Sequence, residues 1–589
     1  HSFPTRRSSD LVNVILKPVV AKVEHVNHAD QALVFESPVC FDLGKPVFCN
    51  GVELEIIHAE ADAAWIADVG EVTVCCKGTD EELFSLFLGA WKTMRERHGE
   101  VPPERWDTIL TFAREKLPRQ QLHWPAIGRE ALSASIAHKH KHTTGGLDGV
   151  SLQDLKAMPP AALDNFLAMF HHAESTGSWP PQLVAGRVTC LAKTANPLGA
   201  LDFRPITVFG LLYRCWGTYQ ARQAIRMLDS VLPVGLYGSR PNCYSGQVWS
   251  HMLWTIEMAY ENQTDLCGII ADIQKAFNFL PRIVVLEACA ILGLPFQVLC
   301  GWAGALSEMT RRFQINGSFS PPARSNCGLP EGCALSCVGM MVVDILFHEW
   351  MVHFFPLCQP LSYVDDWQVI VADPQSLSNV YQCLERFTQV MDLLLDQKKT
   401  HVWSISAAGR KQIRAQGFGT VAFGKSLGAH IQFTRQHTNS CLMERVQKAT
   451  PLWTKLRLSS CPYPQKVRAL KSAAWPRCLH AVAATTVSQQ TFTSLRAGAM
   501  KGLRADGAGA NPLVHLGLVE VPSVDPLCWS VMQTLRLARD CGARPRVAGL
   551  LATLANGTSD LPANSITSTL LARIQVLGWH VDENGMVHD

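Results

Sequence analysis

Little in this chain marks it as secreted, membrane-borne or stapled by metal. Twenty cysteines are scattered through 589 residues, yet no Cys-x-x-Cys pair occurs. The tightest group, Cys327, Cys333 and Cys337, has a spacing unsuited to a structural zinc site. Scattered thiols in so long a chain fit a reducing, intracellular compartment, nuclear or cytoplasmic. No apolar run reaches membrane-spanning length. The best candidate, Val338 to Phe355, is broken by Asp344, His348, Glu349 and His353, so no membrane is expected as a partner. Internal repeats and low-complexity tracts are missing as well. The formal net charge is only +3, so overall composition does not announce a polyanion binder.

What charge there is lies unevenly. From Arg445 to His480 the basic residues include Lys455, Arg457, Lys466, Arg468 and Lys471, and no Asp or Glu interrupts them. A local positive field attracts phosphate backbones even when the total charge is small. The pentad His138-Lys139-His140-Lys141-His142 closes a helical pattern that begins near Ile127. On a helix His138 and His142 share a face and His140 points away, which leaves two ligands and no third. A solvated basic end is the better reading.

Carboxylates carry the strongest signal. Ser362-Tyr363-Val364-Asp365-Asp366-Trp367 lies between apolar runs and reads as strand, tight turn, strand. Asp is an ordinary turn residue, so this pair alone proves little. Upstream, Leu266 to Asp272 is a second apolar run of β character that also ends in a carboxylate, followed by Ile273-Gln274-Lys275-Ala276-Phe277. Asp272 and the Asp365–Asp366 pair can meet if their strands pair. Between them stands Gly328-Leu329-Pro330-Glu331-Gly332-Cys333-Ala334-Leu335-Ser336.

These three segments, in this order, resemble the palm motifs of reverse transcriptases. Further matches extend the resemblance from about Thr144 to Ile431, and more loosely to about His480. Gly146-Leu147-Asp148-Gly149 resembles the turn that opens the fingers of non-LTR (LINE-type) retrotransposon and group II intron enzymes. Lys193 at a strand end and Arg204-Pro205-Ile206 resemble the fingers signature. Asp396-Gln397-Lys398-Lys399-Thr400 resembles an Asn-x-x-Lys-Thr segment with Asp in place of Asn. Ser426-Leu427-Gly428 resembles the primer-grip strand.

The resemblance implies an α/β (α+β) right-hand polymerase with an antiparallel palm sheet, helical fingers and a helical thumb. It implies Asp272 and Asp365 as bridging metal ligands, Asp366 as a supporting one and the Ile273 carbonyl as a further donor. Two Mg²⁺ ions (Mn²⁺ as a substitute) are the implied cofactors, since paired divalent ions roughly 3.5–4 Å apart stabilise both oxygens of an in-line phosphoryl displacement. Lys193, Arg204 and Lys399 would face the triphosphate, as a point charge and a bidentate fork suit phosphate oxygens. Phe277 would be the gate against a ribose 2′-hydroxyl, and Glu331 and Gly332 would lie beside the nucleotide. The family usually has Gln where Glu331 stands. Leu427, Gly428 and the thumb cations Lys455, Arg457, Lys466, Arg468 and Lys471 would hold nucleic acid. RNA template, DNA primer and deoxynucleoside triphosphates are the implied partners.

The expected organisation is residues 1–11 as translated sequencing-adapter sequence, 12–125 as an N-terminal accessory region with strands at Ala32–Glu36, Val47–Ile57 and Val69–Cys76, 126–440 as fingers and palm, 441–490 as thumb and 491–589 as a C-terminal accessory region. The native start, with any endonuclease domain, is expected upstream. Two other readings stay open: a decayed or domesticated copy that binds RNA without catalysis, and an RNA-dependent RNA polymerase. Lys275-Ala276-Phe277 argues against the latter.

Overall fold

The computed structural model describes residues 80–588 apart from 99–100, 121–122, 194–198, 316, 436–438, 508 and 517–521; before residue 80 it describes four strands. These strands form two hairpins, Val23–Asn27 with Ala32–Phe35 and Val47–Cys49 with Val52–Leu54. The expected strand at Val47–Ile57 is therefore a short hairpin. The adapter-like residues and Val69–Cys76 lie outside the described residues.

The chain forms two compact units. The first comprises residues 1–105, 119–224 and 277–339, the second residues 106–118, 225–276 and 340–589. In the first unit the strand Ala185–Ala192 pairs antiparallel with Phe203–Val208 and parallel with Thr310–Ile315, which pairs antiparallel with Ser318–Phe319 in turn. The helix Pro160–Thr176 starts on a proline and ends at Gly177 in the left-handed region, the punctuation expected of a helix stop. Gly304 lets its helix lie against Gly177, since a Cβ on Gly304 would meet the Gly177 carbonyl oxygen at 1.7 Å. Glu174, 8% exposed, accepts from Trp216 Nε1 (2.8 Å) and Gln220 Nε2 (2.7 Å). The buried carboxylate is thus matched by two donors.

The second unit is built on a four-stranded antiparallel sheet in the order Gln359–Tyr363, Asp366–Val371, Cys267–Asp272, His401–Ser404. Both faces are covered, which is why Cys267 to Asp272 reads as a continuous apolar run rather than an alternating one. On one face Trp367 packs against Phe347 of the helix Ala334–Phe354 and Phe387 of the helix Leu377–Val390. On the other, Ile270, Ile370 and Trp403 join a core with the helix Ser245–Glu261 and the hairpin Phe423–Ser426/Ala429–Gln432. Ala334–Phe354 is long and apolar enough to cross a membrane by composition, but it is mostly buried within the protein.

Residues 491–589 do not stand apart from the thumb. Phe492, Leu495 and Ala499 share a core with Trp453 and Trp475, and Arg496 makes a buried ion pair with Asp525. Farther on, Thr567 donates both its N–H and its hydroxyl to buried Glu257 of the helix Ser245–Glu261. Residues 492–527 thus share a core with the helices that follow residue 440, and residues 531–574 share a second core with the helix Ser245–Glu261. A second correction concerns the His/Lys pentad. Its helix ends at Ala137, so His138 and His142 do not lie one turn apart on a common face.

Candidate active site

The carboxylates of the second unit are brought together by strand register. Asp272 ends its strand directly opposite Asp366, the first residue of the neighbouring strand. Tyr363 and Asp366 close the hairpin, leaving Val364 and Asp365 as its two-residue loop. Val364 has φ 62°, a left-handed value that a β-branched side chain adopts only under strain. The turn is buttressed from outside. Tyr237 N donates to the Ser362 carbonyl (3.0 Å) and Ser362 N donates to the Gly235 carbonyl (2.9 Å), so residues 235–237 run as an extra edge beside the hairpin. Gly238 must be glycine there, since a Cβ would meet Val364 N at 2.3 Å. In sequence the sign of this contact is Gly235-x-x-Gly238, two positions without side chains where backbone meets backbone.

Lys399 stands among these acids. Its Nζ is 2.9 Å from Asp272 Oδ2 and 3.2 Å from Asp396 Oδ2. Asp396 N also donates to the Asp272 carbonyl (2.8 Å), which ties the loop to the strand end. Ile273 is buried and bridges to Leu395. Burial, then the charges of Asp365 and Asp272, push Asp366 up to about 7, with Lys399 opposing. The negative charge is in surplus, and one ammonium already sits against two of the carboxylates. Hard oxygen donors in surplus fit a divalent cation. Among the described residues no three His, Cys, Asp or Glu side chains converge on one point.

The residues implied to face the nucleotide belong largely to the first unit. Lys193 and Arg204 are exposed on the Ala185–Val208 hairpin, and Lys193 Nζ donates to the Leu201 carbonyl (3.0 Å). Glu331 accepts from Asn278 Nδ2 (3.3 Å). Burial pushes its pKa above the ordinary carboxylate range, while Arg204, Arg311 and Lys193 draw it back down. Phe277 is half-buried, and its carbonyl accepts from Leu329 N. Gly332 departs from expectation. Its φ is 114°, and a Cβ would lie 2.0 Å from the Thr207 carbonyl oxygen. With Glu331 O accepting from Thr207 N (2.7 Å), Gly332 serves the docking of this loop onto a strand of its own unit.

The remaining cations divide sharply. Lys455 and Arg468 are exposed, and Lys471 is half-buried. Arg457 is ion-paired with Asp506 (2.8 Å). Lys466 is only 5% exposed and donates to the Arg457 carbonyl, so it is a packing cation rather than a surface one. Leu427 and Gly428, both with positive φ, form the turn of their hairpin. Their carbonyls are taken by His480 Nε2 and Arg445 Nη2, which joins the grip-like turn to the first thumb helix.

Residues 196–434 match the family model described as "Reverse transcriptase (RNA-dependent DNA polymerase)". No curated protein matches the chain in sequence. Among solved structures the chain is similar to "apo telomerase from Candida Tropicalis truncated from C-terminal domain", at 15% identity and a TM-score of 0.32. That likeness covers 43% of this chain and about half (54%) of the telomerase chain, and no argument rests on it. The stretch from 196 to 434 is thus similar to reverse transcriptase domains, and it contains every carboxylate of the site just described.

Proposed function

We propose that this chain is an RNA-directed DNA polymerase of the non-LTR retrotransposon type, adding deoxynucleotides to a primer 3′-hydroxyl. The observation that carries the reading is the register that sets Asp366 against Asp272, with Asp365 in the turn between paired strands. Divalent ions, Mg²⁺ first, would be held by Asp272, Asp365 and Asp366 and would neutralise charge on the attacking and leaving oxygens. The chain's own side chains do the rest. Lys399 balances Asp272 until the site is loaded and then turns to the phosphate side. Lys193 and Arg204 bind the triphosphate, Phe277 crowds a 2′-hydroxyl, and Lys455 and Arg468 take sequence-independent contacts to the duplex backbone. An RNA template, a DNA primer and a reducing compartment, where the free thiols persist, complete the proposal.

Primer extension on a poly-rA/oligo-dT template with Mg²⁺ tests it, with dTTP and UTP as separate substrates and an Asp365→Ala variant alongside. Extension with dTTP alone, abolished in the variant, is the expected result. Extension with UTP would reassign the chain to ribonucleotide polymerisation. Folded protein that binds the duplex and extends nothing would leave an RNA-binding copy without catalysis.

A further inference from the structure

Beneath the Asp365–Asp366 turn lies a buried polar rung that the proposed chemistry does not use. Asp344 and His348 sit one turn apart on the helix Ala334–Phe354, hence on one face. Trp367 Nε1 donates to Asp344 Oδ1 at 2.8 Å. His348 Nε2 lies 3.1 Å from Ser362 Oγ. Ser362 and Trp367 are direct cross-strand partners, one rung behind the Tyr363–Asp366 pair. The helix therefore grips both strands of the hairpin at one level, next to the carboxylates. All four residues are 3% exposed or less. The Trp367 ring is stacked on Phe347, with centroids 4.4 Å apart and planes 8° apart.

Simple core satisfaction does not account for this choice. Apolar side chains of similar volume would fill the space at equal or lower free energy. A directional bond adds a unique register. A one-residue slip of a strand turns every side chain to the opposite face and would carry Asp366 away from Asp272. The turn above the rung is strained at Val364, so the hairpin needs an external hold. Burial keeps the Asp344 carboxyl well above its ordinary range, and it holds His348 neutral at about 3. The clasp thus adds no charge beneath the acidic site.

We propose that Asp344 and His348 are positioning residues that lock the catalytic hairpin in register, so that Asp365 and Asp366 are presented to divalent cations in one geometry. The inference rests on the polymerase reading above, and Asp344→Leu, Asp344→Asn and Trp367→Phe test it. Asp344→Leu removes the acceptor and keeps the volume, Asp344→Asn keeps an acceptor, and Trp367→Phe removes the donor and keeps a stacked ring. In primer extension, the Leu and Phe variants should lose roughly ten- to hundredfold in kcat, the scale of a misplacement of order 1 Å. They should also need more Mg²⁺, while the KM for dTTP and the duplex dissociation constant stay within about twofold. Asp344→Asn should recover most of the loss. Calorimetry with Mn²⁺ and nucleotide-free protein gives a readout independent of turnover. Asp344→Leu and Trp367→Phe should bind Mn²⁺ more weakly than wild type, and Asp344→Asn should not. If wild type extends no primer but this Mn²⁺ ranking holds, the polymerase reading fails and the clasp stands. If the Leu and Phe variants bind Mn²⁺ like wild type, the clasp is overturned. If Asp344→Leu does not fold, Trp367→Phe decides alone.

Discussion

Replacing Lys399 by Gln should tighten the first divalent cation rather than weaken it. The ammonium lies 2.9 Å from Asp272 Oδ2, close to where a metal must arrive. At that distance two unit charges interact by about 1.4 kcal/mol in a water-like medium and about 6 kcal/mol at an effective dielectric near 20. The Lys399 side chain is 65% exposed, so solvent screening pulls the value toward the lower end. A cation entering the wild-type site displaces that ammonium; in Lys399→Gln it does not. The expected gain is ~1 kcal/mol, a five- to tenfold lower Mn²⁺ dissociation constant. The gain shrinks as salt is raised, because the pair is exposed. Lys399→Arg, which keeps the charge, stays near wild type. Nucleotide addition should slow in Lys399→Gln even as metal binds better, since the same cation is assigned to the phosphates. Calorimetric titration of nucleotide-free protein, with melting temperatures as a folding control, reads the first effect; dTTP turnover reads the second. Unchanged or weaker Mn²⁺ binding in a folded Lys399→Gln variant would refute the competition.

Three further outcomes follow from the same physics. Glu331→Gln removes a half-buried carboxylate that competes with phosphate for Arg204 and Lys193, so the KM for dTTP should fall severalfold, measured by steady-state extension; an unchanged KM would place Glu331 outside nucleotide binding. Burial raises Glu257 from an ordinary 4.5 to about 7, so its penalty appears as pH rises above 4.5 and is complete above about 7. That gap corresponds to ~3 kcal/mol at most, and Glu257→Gln should abolish that part of the stability loss between pH 5 and pH 8, read from urea midpoints; an identical pH profile would sink the argument. Asp525→Ala strands Arg496 and uncaps the N–H groups of Leu527 and Cys528, costing ~3–5 kcal/mol, whereas Asp164→Ala at the exposed Arg129 pair should leave the midpoint of the same denaturation assay unchanged.

The carboxylates were legible in sequence because their chemistry demands a local pattern. Apolar runs that end in acids predict strands that end in acids, and pairing of those strands then sets the acids opposite one another. The support of the site was not legible, because its partners lie far apart in the chain. Asp344 and His348 counted only as interruptions in an apolar run, yet their burial and their bonds to Trp367 and Ser362 show the helix aimed at the hairpin. Residues 235–237 carried turn-like composition, and only the backbone bonds to Ser362 reveal an edge strand. Lys466 belonged to an unbroken basic series, but periodicity could not say that its helix turns this one cation inward. Gly332, read from sequence as lying beside the nucleotide, has a packing demand that sequence did not show: its missing Cβ admits the Thr207 carbonyl. In each case composition named the residue type a place requires, while the element packed on that place decided the role. The clasp is the clearest instance, since the apolar context that hid Asp344 is also what makes its single bond to Trp367 directional enough to hold a strained turn.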